Sequence, residues 1–229
     1  MDNVLELLKS PAIVISLAAT VAAVLYSYVY LPRRMGRAYR RSLLTLASAV
    51  ETKDMRAAGH GERVAEYATA TARQMRLPKR LIRNIEYAAF LEDVGNIRVP
   101  HAILNKPGKL TREEMEQLEA HPAIGQEIVE QVRFLKDIAP YLRHHHEKWD
   151  GSGYPDGLMG EQIPLGARIL AVATAFDSMT SERPYHAKMD EDAAVAELKA
   201  GAGAQFDPAV VEAFLRMLQK RIRTERRAA

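Results

Sequence analysis

Residues 144–155 read His144-His145-His146-Glu147-Lys148-Trp149-Asp150-Gly151-Ser152-Gly153-Tyr154-Pro155. The histidines close an apolar-patterned stretch, Asp137 to His146, and a loop rich in Gly and Pro, Asp150 to Pro164, follows. Neighbours on a helix point about 100° apart, so adjacent imidazoles reach one site only from beyond a helix end. A helix that stops in histidines over a turn-rich loop meets that condition. A lone His is more often a surface or satisfied core residue, and His101 and His186 carry no such context.

Other ligand types lie upstream. Glu92 and Asp93 close a second predicted helix, Lys79 to Asp93, and His60 and His121 lie just upstream of two others, Glu62–Met75 and Ile124–Phe134. The chain has no cysteine, so any metal must be held by imidazole and carboxylate. That donor set suits Mn, Fe, Co or Zn, and a shared Asp can bridge two ions. Chemistry alone supports a metal-dependent hydrolase; the bland alternative is a helical scaffold with an incidental His run.

The fold class reads as all-α. Helical periodicity covers Ser42–Val50, Glu62–Met75, Lys79–Asp93, Ile124–Phe134, Asp137–His146, Ile163–Met179, Asp192–Lys199 and Pro208–Met217. Thr111-x-x-Glu114 is a capping-box signature that opens one more helix. No stretch alternates convincingly at period two. Asn96–Leu110 and Asp150–Pro164 read as loops.

Ala12 to Leu31 carries no charge and is long enough to cross a hydrocarbon core of roughly 30 Å as a helix. Tyr26, Tyr28 and Tyr30 lie near its downstream end, and Arg33, Arg34, Arg37, Arg40 and Arg41 follow. Interfacial aromatics and the positive-inside rule place the remainder in the cytoplasm, behind a single-pass anchor. The upstream stretch is too brief for a folded sensor and lacks a basic signal-peptide region. Hydrophobic residues make up 48% and charged residues 27%, as in a globular domain, and the formal net charge is +3. The second basic cluster, Lys220 to Arg227, has no aromatic platform interleaved, which argues against nucleic acid. The expected organisation is 1–10 N-terminal segment, 11–31 transmembrane helix, 32–44 basic connector, 45–218 main domain, 219–229 basic tail.

The stretch His145 to Pro155 resembles the HHExxDGxGYP motif of HD-GYP domains. In order around it lie His60 in AGHGERV, Asn105 to Leu110 as NKPGKL, His121-Pro122 before Ile124-Gly125, Arg183-Pro184-Tyr185 and Gly203 to Pro208. The resemblance covers roughly Thr45 to Leu218. It implies an HD-GYP-type helical bundle that hydrolyses cyclic di-GMP with two or three metal ions, commonly iron or manganese. By the same resemblance, one ion rests on His60, the His-Asp pair and a late Asp. A second rests on the bridging Asp93 with His121, His145 and His146. Gly153, Tyr154 and Arg183 become candidates for gripping the nucleotide.

The chain departs from that pattern. Glu92 stands where the family has the His of its His-Asp pair. Asn96 replaces the lysine that follows, and Thr174 replaces the late Asp, with Asp177 matching a second, non-ligand Asp. Glu92 and Thr174 fall on the same ion, so the expectation is one strong metal site and one weak or absent.

Three readings follow: a degenerate domain that binds cyclic di-GMP and hydrolyses little, an active phosphodiesterase with Glu92 as substitute ligand, and a membrane-tethered protein-interaction scaffold. The implied partners are cyclic di-GMP, the membrane, and a homodimer or signalling partner through the anchor helix and Ser42–Val50.

Overall fold

The chain divides at Ser42 into two units, Met1–Ser42 and Leu43–Ala229, in the computed structural model. The structure describes residues 10–53, 59–181 and 188–228, with side chains after Arg223 outside the description. The expected nucleotide-gripping Arg183, and His186, lie outside the described residues.

In the first unit α1 (Pro11–Leu25) opens with proline at its first position, where a missing N–H costs nothing. One π-helical turn, Tyr26–Tyr30, leads into α2 (Leu31–Glu51), and the Tyr26 and Tyr30 rings stack at 5.4 Å. No residue of α1 is buried, and the continuous helical stretch Pro11–Glu51 that it opens is long and apolar enough to cross a membrane.

The second unit begins within α2, which buries Leu43, Ala47 and Val50. There follow α3 (His60–Gln74), α4 (Lys79–Leu91), α5 (His101–Leu104), α6 (Arg112–Glu119) and α7 (His121–Glu130). Then come α8 (Ala139–His144), α9 (Leu165–Thr180), α10 (Glu191–Ala200) and α11 (Pro208–Ala228). Helices α3 and α4 pair, α9 packs on α3, α8 and α10, and α11 lies along α3. The core is apolar side chains at helical spacing: Val64, Ile85, Leu91, Leu142, Ile169, Leu170, Phe176 and Phe214 are sealed from solvent. Tyr67 meets Phe176 edge-on at 5.2 Å, and Phe176 meets Phe214 at 5.0 Å, the tilted geometry aromatic quadrupoles favour.

The all-α expectation holds: among the described residues the only β feature is an isolated bridge, Ala202 to Phe206. The capping box at Thr111 is present, with Glu114 N–H donating to Thr111 Oγ1 (3.3 Å) and Thr111 N–H to Glu114 Oε2 (2.8 Å). The expected loop Asn96–Leu110 instead holds the end of a 3-10 turn, Val94–Arg98, and the whole of α5. Both are too short for periodicity to reveal. The last helix passes Met217 and runs on to Ala228.

Candidate metal centre

Helix α7 starts on His121 and α8 ends on His144, so His121, His145 and His146 meet where two helix ends converge. Their rings lie 5.4, 5.0 and 4.0 Å apart as the pairs 121–145, 121–146 and 145–146. His121 Nδ1 is 2.8 Å from Leu118 O, and His145 Nδ1 is 2.7 Å from Leu142 O. A carbonyl can only accept, so each Nδ1 carries the proton and each Nε2 offers a lone pair. His121 Nε2 is buried without a hydrogen-bond partner. Burial, then the neighbouring His146 and His121, hold His145 well below the usual imidazole range. Burial and His121 push His146 down to about 3. Both rings are therefore neutral at physiological pH, the form that ligates.

Asp93 follows the end of α4 and places Oδ1 3.6 Å from His121 Nε2. Asn96 donates its amide to the same Oδ1 at 3.1 Å. Gly95 lets this turn close on α7: a Cβ there would come within 2.0 Å of His121 O. Three imidazoles whose ligand atoms lie within 4.8 Å of one another, one with an orphaned buried nitrogen, fit a divalent transition ion.

The other half of the expected site differs. Glu92, 2% exposed, accepts from Thr174 Oγ1 at 3.0 and 2.9 Å and from His60 Nε2 at 3.1 Å. His60 Nδ1 lies 2.7 Å from Asp177 Oδ2, and Arg63 clasps Asp177 through Nε (2.6 Å) and Nη2 (3.1 Å). Burial alone would depress His60, but hydrogen bonds to Asp177 and Glu92 outweigh it and raise it to about 10. Burial likewise pushes Asp177 up, but His60 and Arg63 prevail and hold it at about 2. Burial raises the Glu92 carboxyl, with His60 pulling against it. Both nitrogens of His60 and both oxygens of Glu92 are thus engaged within the protein. Among the described residues Glu92 belongs to no group of three metal-ligand atoms within 4.8 Å.

Tyr154 stacks on His146 at 4.8 Å, and burial raises its phenol. Gly153 lies against the backbone of 146–148, where a Cβ would come within 2.3 Å of Lys148 N. Residues beyond the sequence reading also shape the site. Buried Glu147 accepts from Asp156 N (2.7 Å) and Leu158 N (3.1 Å), and Arg143 forks onto Asp156 at 2.7 Å twice. His144 turns from the other histidines toward Glu147 and Asp156. The Asp177–Arg63 clasp was signalled only by spacing: Arg63 lies one turn from His60, and Asp177 one turn from Thr174.

The HD domain family model matches residues 45–210. The chain is 47% identical over 179 residues to the cyclic di-GMP phosphodiesterase response regulator RpfG of Xanthomonas campestris, covering 77% of this chain and 47% of that protein. It is 41% identical over 169 residues to a cyclic di-GMP phosphodiesterase of Thermotoga maritima, covering 73% and 46%. A crystal structure of a cyclic GMP-AMP specific phosphodiesterase of V. cholerae shares the fold, with TM-score 0.62 at 20% identity over 79% of this chain and 48% of that one. The chain spans about half the length of the curated relatives it matches. With that match over most of its length and the histidine-to-GYP stretch intact, the chain belongs to the HD domain family, in its HD-GYP branch.

Proposed function

We propose that the chain is a membrane-anchored HD-GYP protein that binds cyclic di-GMP over one metal ion, iron or manganese, and hydrolyses it slowly or not at all. The observation that carries this reading is the Thr174–Glu92 hydrogen bond beside an intact set of three histidines. Relatives named for cyclic di-GMP supply the ligand class. The apolar α1, the tyrosines after it and the arginines after those support a single-pass anchor in the bacterial inner membrane. The domain from 45 to 218 then lies in the cytoplasm, between the basic connector 32–44 and the basic tail.

A bound divalent ion would supply Lewis-acid polarisation of a phosphoryl oxygen and an acidified water. His121, His145 and His146 would hold it through Nε2, with Asp93 as the carboxylate. Backbone carbonyls keep the Nδ1 protons of His121 and His145 in place, which fixes those two rings. Tyr154 stacks on His146 and forms one wall of the site. In-line displacement at phosphorus is helped when both attacking and leaving oxygens are clamped. Here His60 and Glu92 satisfy each other, so that second clamp lacks free donors. Asn96 brings no cation to the phosphate and gives its amide to Asp93. Each lost electrostatic contact of this kind costs roughly 10²–10³ in rate.

An active phosphodiesterase is the second reading. It is favoured by His60 Nε2 standing 3.1 Å from Glu92 and 3.9 Å from Asp93, so that a modest turn of Glu92 would offer a hard oxygen ligand. Purified full-length chain in detergent, with Mn(II) or anaerobic Fe(II), separates the readings. One ion per chain, measurable cyclic di-GMP affinity and little turnover are expected. Two ions per chain, with turnover abolished in Asp93→Ala, would overturn the first reading for the second. No affinity for the dinucleotide would leave a protein-interaction scaffold.

A further inference from the structure

The turn that ends α2 touches both halves of the site without contributing to either. Helix α3 begins with Gly59 as its N-cap, and glycine has no side chain to satisfy the free amides of the first turn. Glu51 supplies that cap from another element: its Oε2 accepts from Gly59 N and its Oε1 from Gly61 N, each at 2.9 Å. The residue between those amides is His60. Two positions on, Lys53 turns to the other side. Its ammonium donates to Asn96 O (3.2 Å), Ile97 O (2.8 Å) and Val99 O (2.5 Å). These carbonyls end the 3-10 turn that begins directly after Asp93. An ammonium has three protons, and all three are used. Asn105 closes the arrangement by donating to Lys53 O at 2.9 Å.

We infer that Glu51 and Lys53 are positioning residues that fix the start of the His60 helix and the Asp93 turn relative to each other. The side chains are matched to the task. A carboxylate suits the positive end of a helix, and an ammonium suits the negative end of a turn. Exchanging the two would put like charge against each backbone dipole. The turn held by Lys53 is also the one whose Asn96 orients Asp93, so its displacement moves a carboxylate beside His121. The consequence for metal binding rests on the one-ion reading above; the placement of the backbone does not.

The test uses the full chain in detergent, with Lys53→Met, Lys53→Arg and Glu51→Gln. Hydrogen exchange of the metal-free protein reads placement directly. Lys53→Met should speed exchange across 94–99 by at least about 10-fold, while peptides from α9 and α11 keep their wild-type rates. Glu51→Gln should do the same at the start of α3 and spare 94–99. Lys53→Arg retains the donors and should restore most of the protection. With Co(II) as probe, Lys53→Met should weaken binding about 10-fold and shift the visible absorption bands, as loss of an outer-shell support does. Unchanged exchange at 94–99 in a folded Lys53→Met would overturn the inference. So would a uniform rise in every peptide, which would mean general stability only. If Lys53→Met does not fold, Glu51→Gln decides by the same exchange criterion. Wild-type chain that takes no Co(II) would sink the one-ion reading, and the exchange result would still decide this one.

Discussion

Thr174 donates its hydroxyl to both carboxylate oxygens of Glu92, at 3.0 and 2.9 Å, across 82 positions of sequence. By the resemblance read from the sequence, these are the two positions that depart from the family pattern for one metal ion. The fold joins them directly, hydroxyl to carboxylate. A buried carboxylate that lost a metal would be costly without partners, and the hydroxyl and His60 provide them.

Coupling between these positions should be measurable. Thr174→Val removes a donor from a buried carboxylate and should cost about 1–3 kcal/mol of stability. The double variant Glu92→His with Thr174→Asp should raise bound Mn(II) from one ion per chain to two and increase cyclic di-GMP turnover. The single Thr174→Asp sets two carboxylates against each other and should be less stable than the double. Metal analysis and thermal unfolding of these variants and of the single Glu92→His check this, and an additive cycle would remove the coupling.

Metal should stabilise the domain through the histidine set. At free Mn(II) of about 100 times Kd, linkage gives about 2.7 kcal/mol. His145→Ala should abolish the Mn(II)-dependent rise in Tm, since His145 is one of the three imidazoles whose ligand atoms lie within 4.8 Å of one another. A rise that persists in His145→Ala would place the ion elsewhere.

Gly95 tests the closeness of the Asp93 turn to α7. The added methyl of Gly95→Ala would fall 2.0 Å from His121 O, so the backbone must move. The expected result is a loss of about 1–3 kcal/mol, as for overpacking, together with weaker Mn(II) binding. Calorimetry and a metal titration on the same sample read both.

The loop after the histidines depends on Glu147. Its carboxylate is almost wholly buried and accepts from two backbone amides. Glu147→Ala should cost about 1–3 kcal/mol by leaving those amides unpaired, and should lower cyclic di-GMP affinity more than Mn(II) affinity. Equal losses in both would show that the loop supports the metal rings and not the ligand surface.

The anchor has its own test. Val21→Asp puts a charge near the middle of the apolar run, at about 2.5–3.5 kcal/mol of insertion free energy. The variant should leave the membrane fraction in part after alkaline extraction. Full retention would argue for attachment through another surface.

Periodicity alone carried the helical class, because amphipathic spacing is local, and it located α3, α4 and α9 to within a few residues. Residue type and order carried the resemblance, and with it the grouping of His121, His145 and His146. Two short elements, Val94–Arg98 and α5, were illegible because a turn or two of helix leaves no period to read. The fate of Glu92 was beyond the sequence as well. A glutamate at a ligand position can turn to a metal or away from it, and the choice depends on what stands opposite. Tertiary packing puts the Thr174 hydroxyl and the His60 imidazole there, from helices far away in sequence, and it sets Glu51 and Lys53 on the two segments that carry His60 and Asp93. The sequence determined which groups the protein has to work with. Only the folded chain decided which of them satisfy one another and which remain open to a ligand, because hydrogen bonds form between neighbours in space.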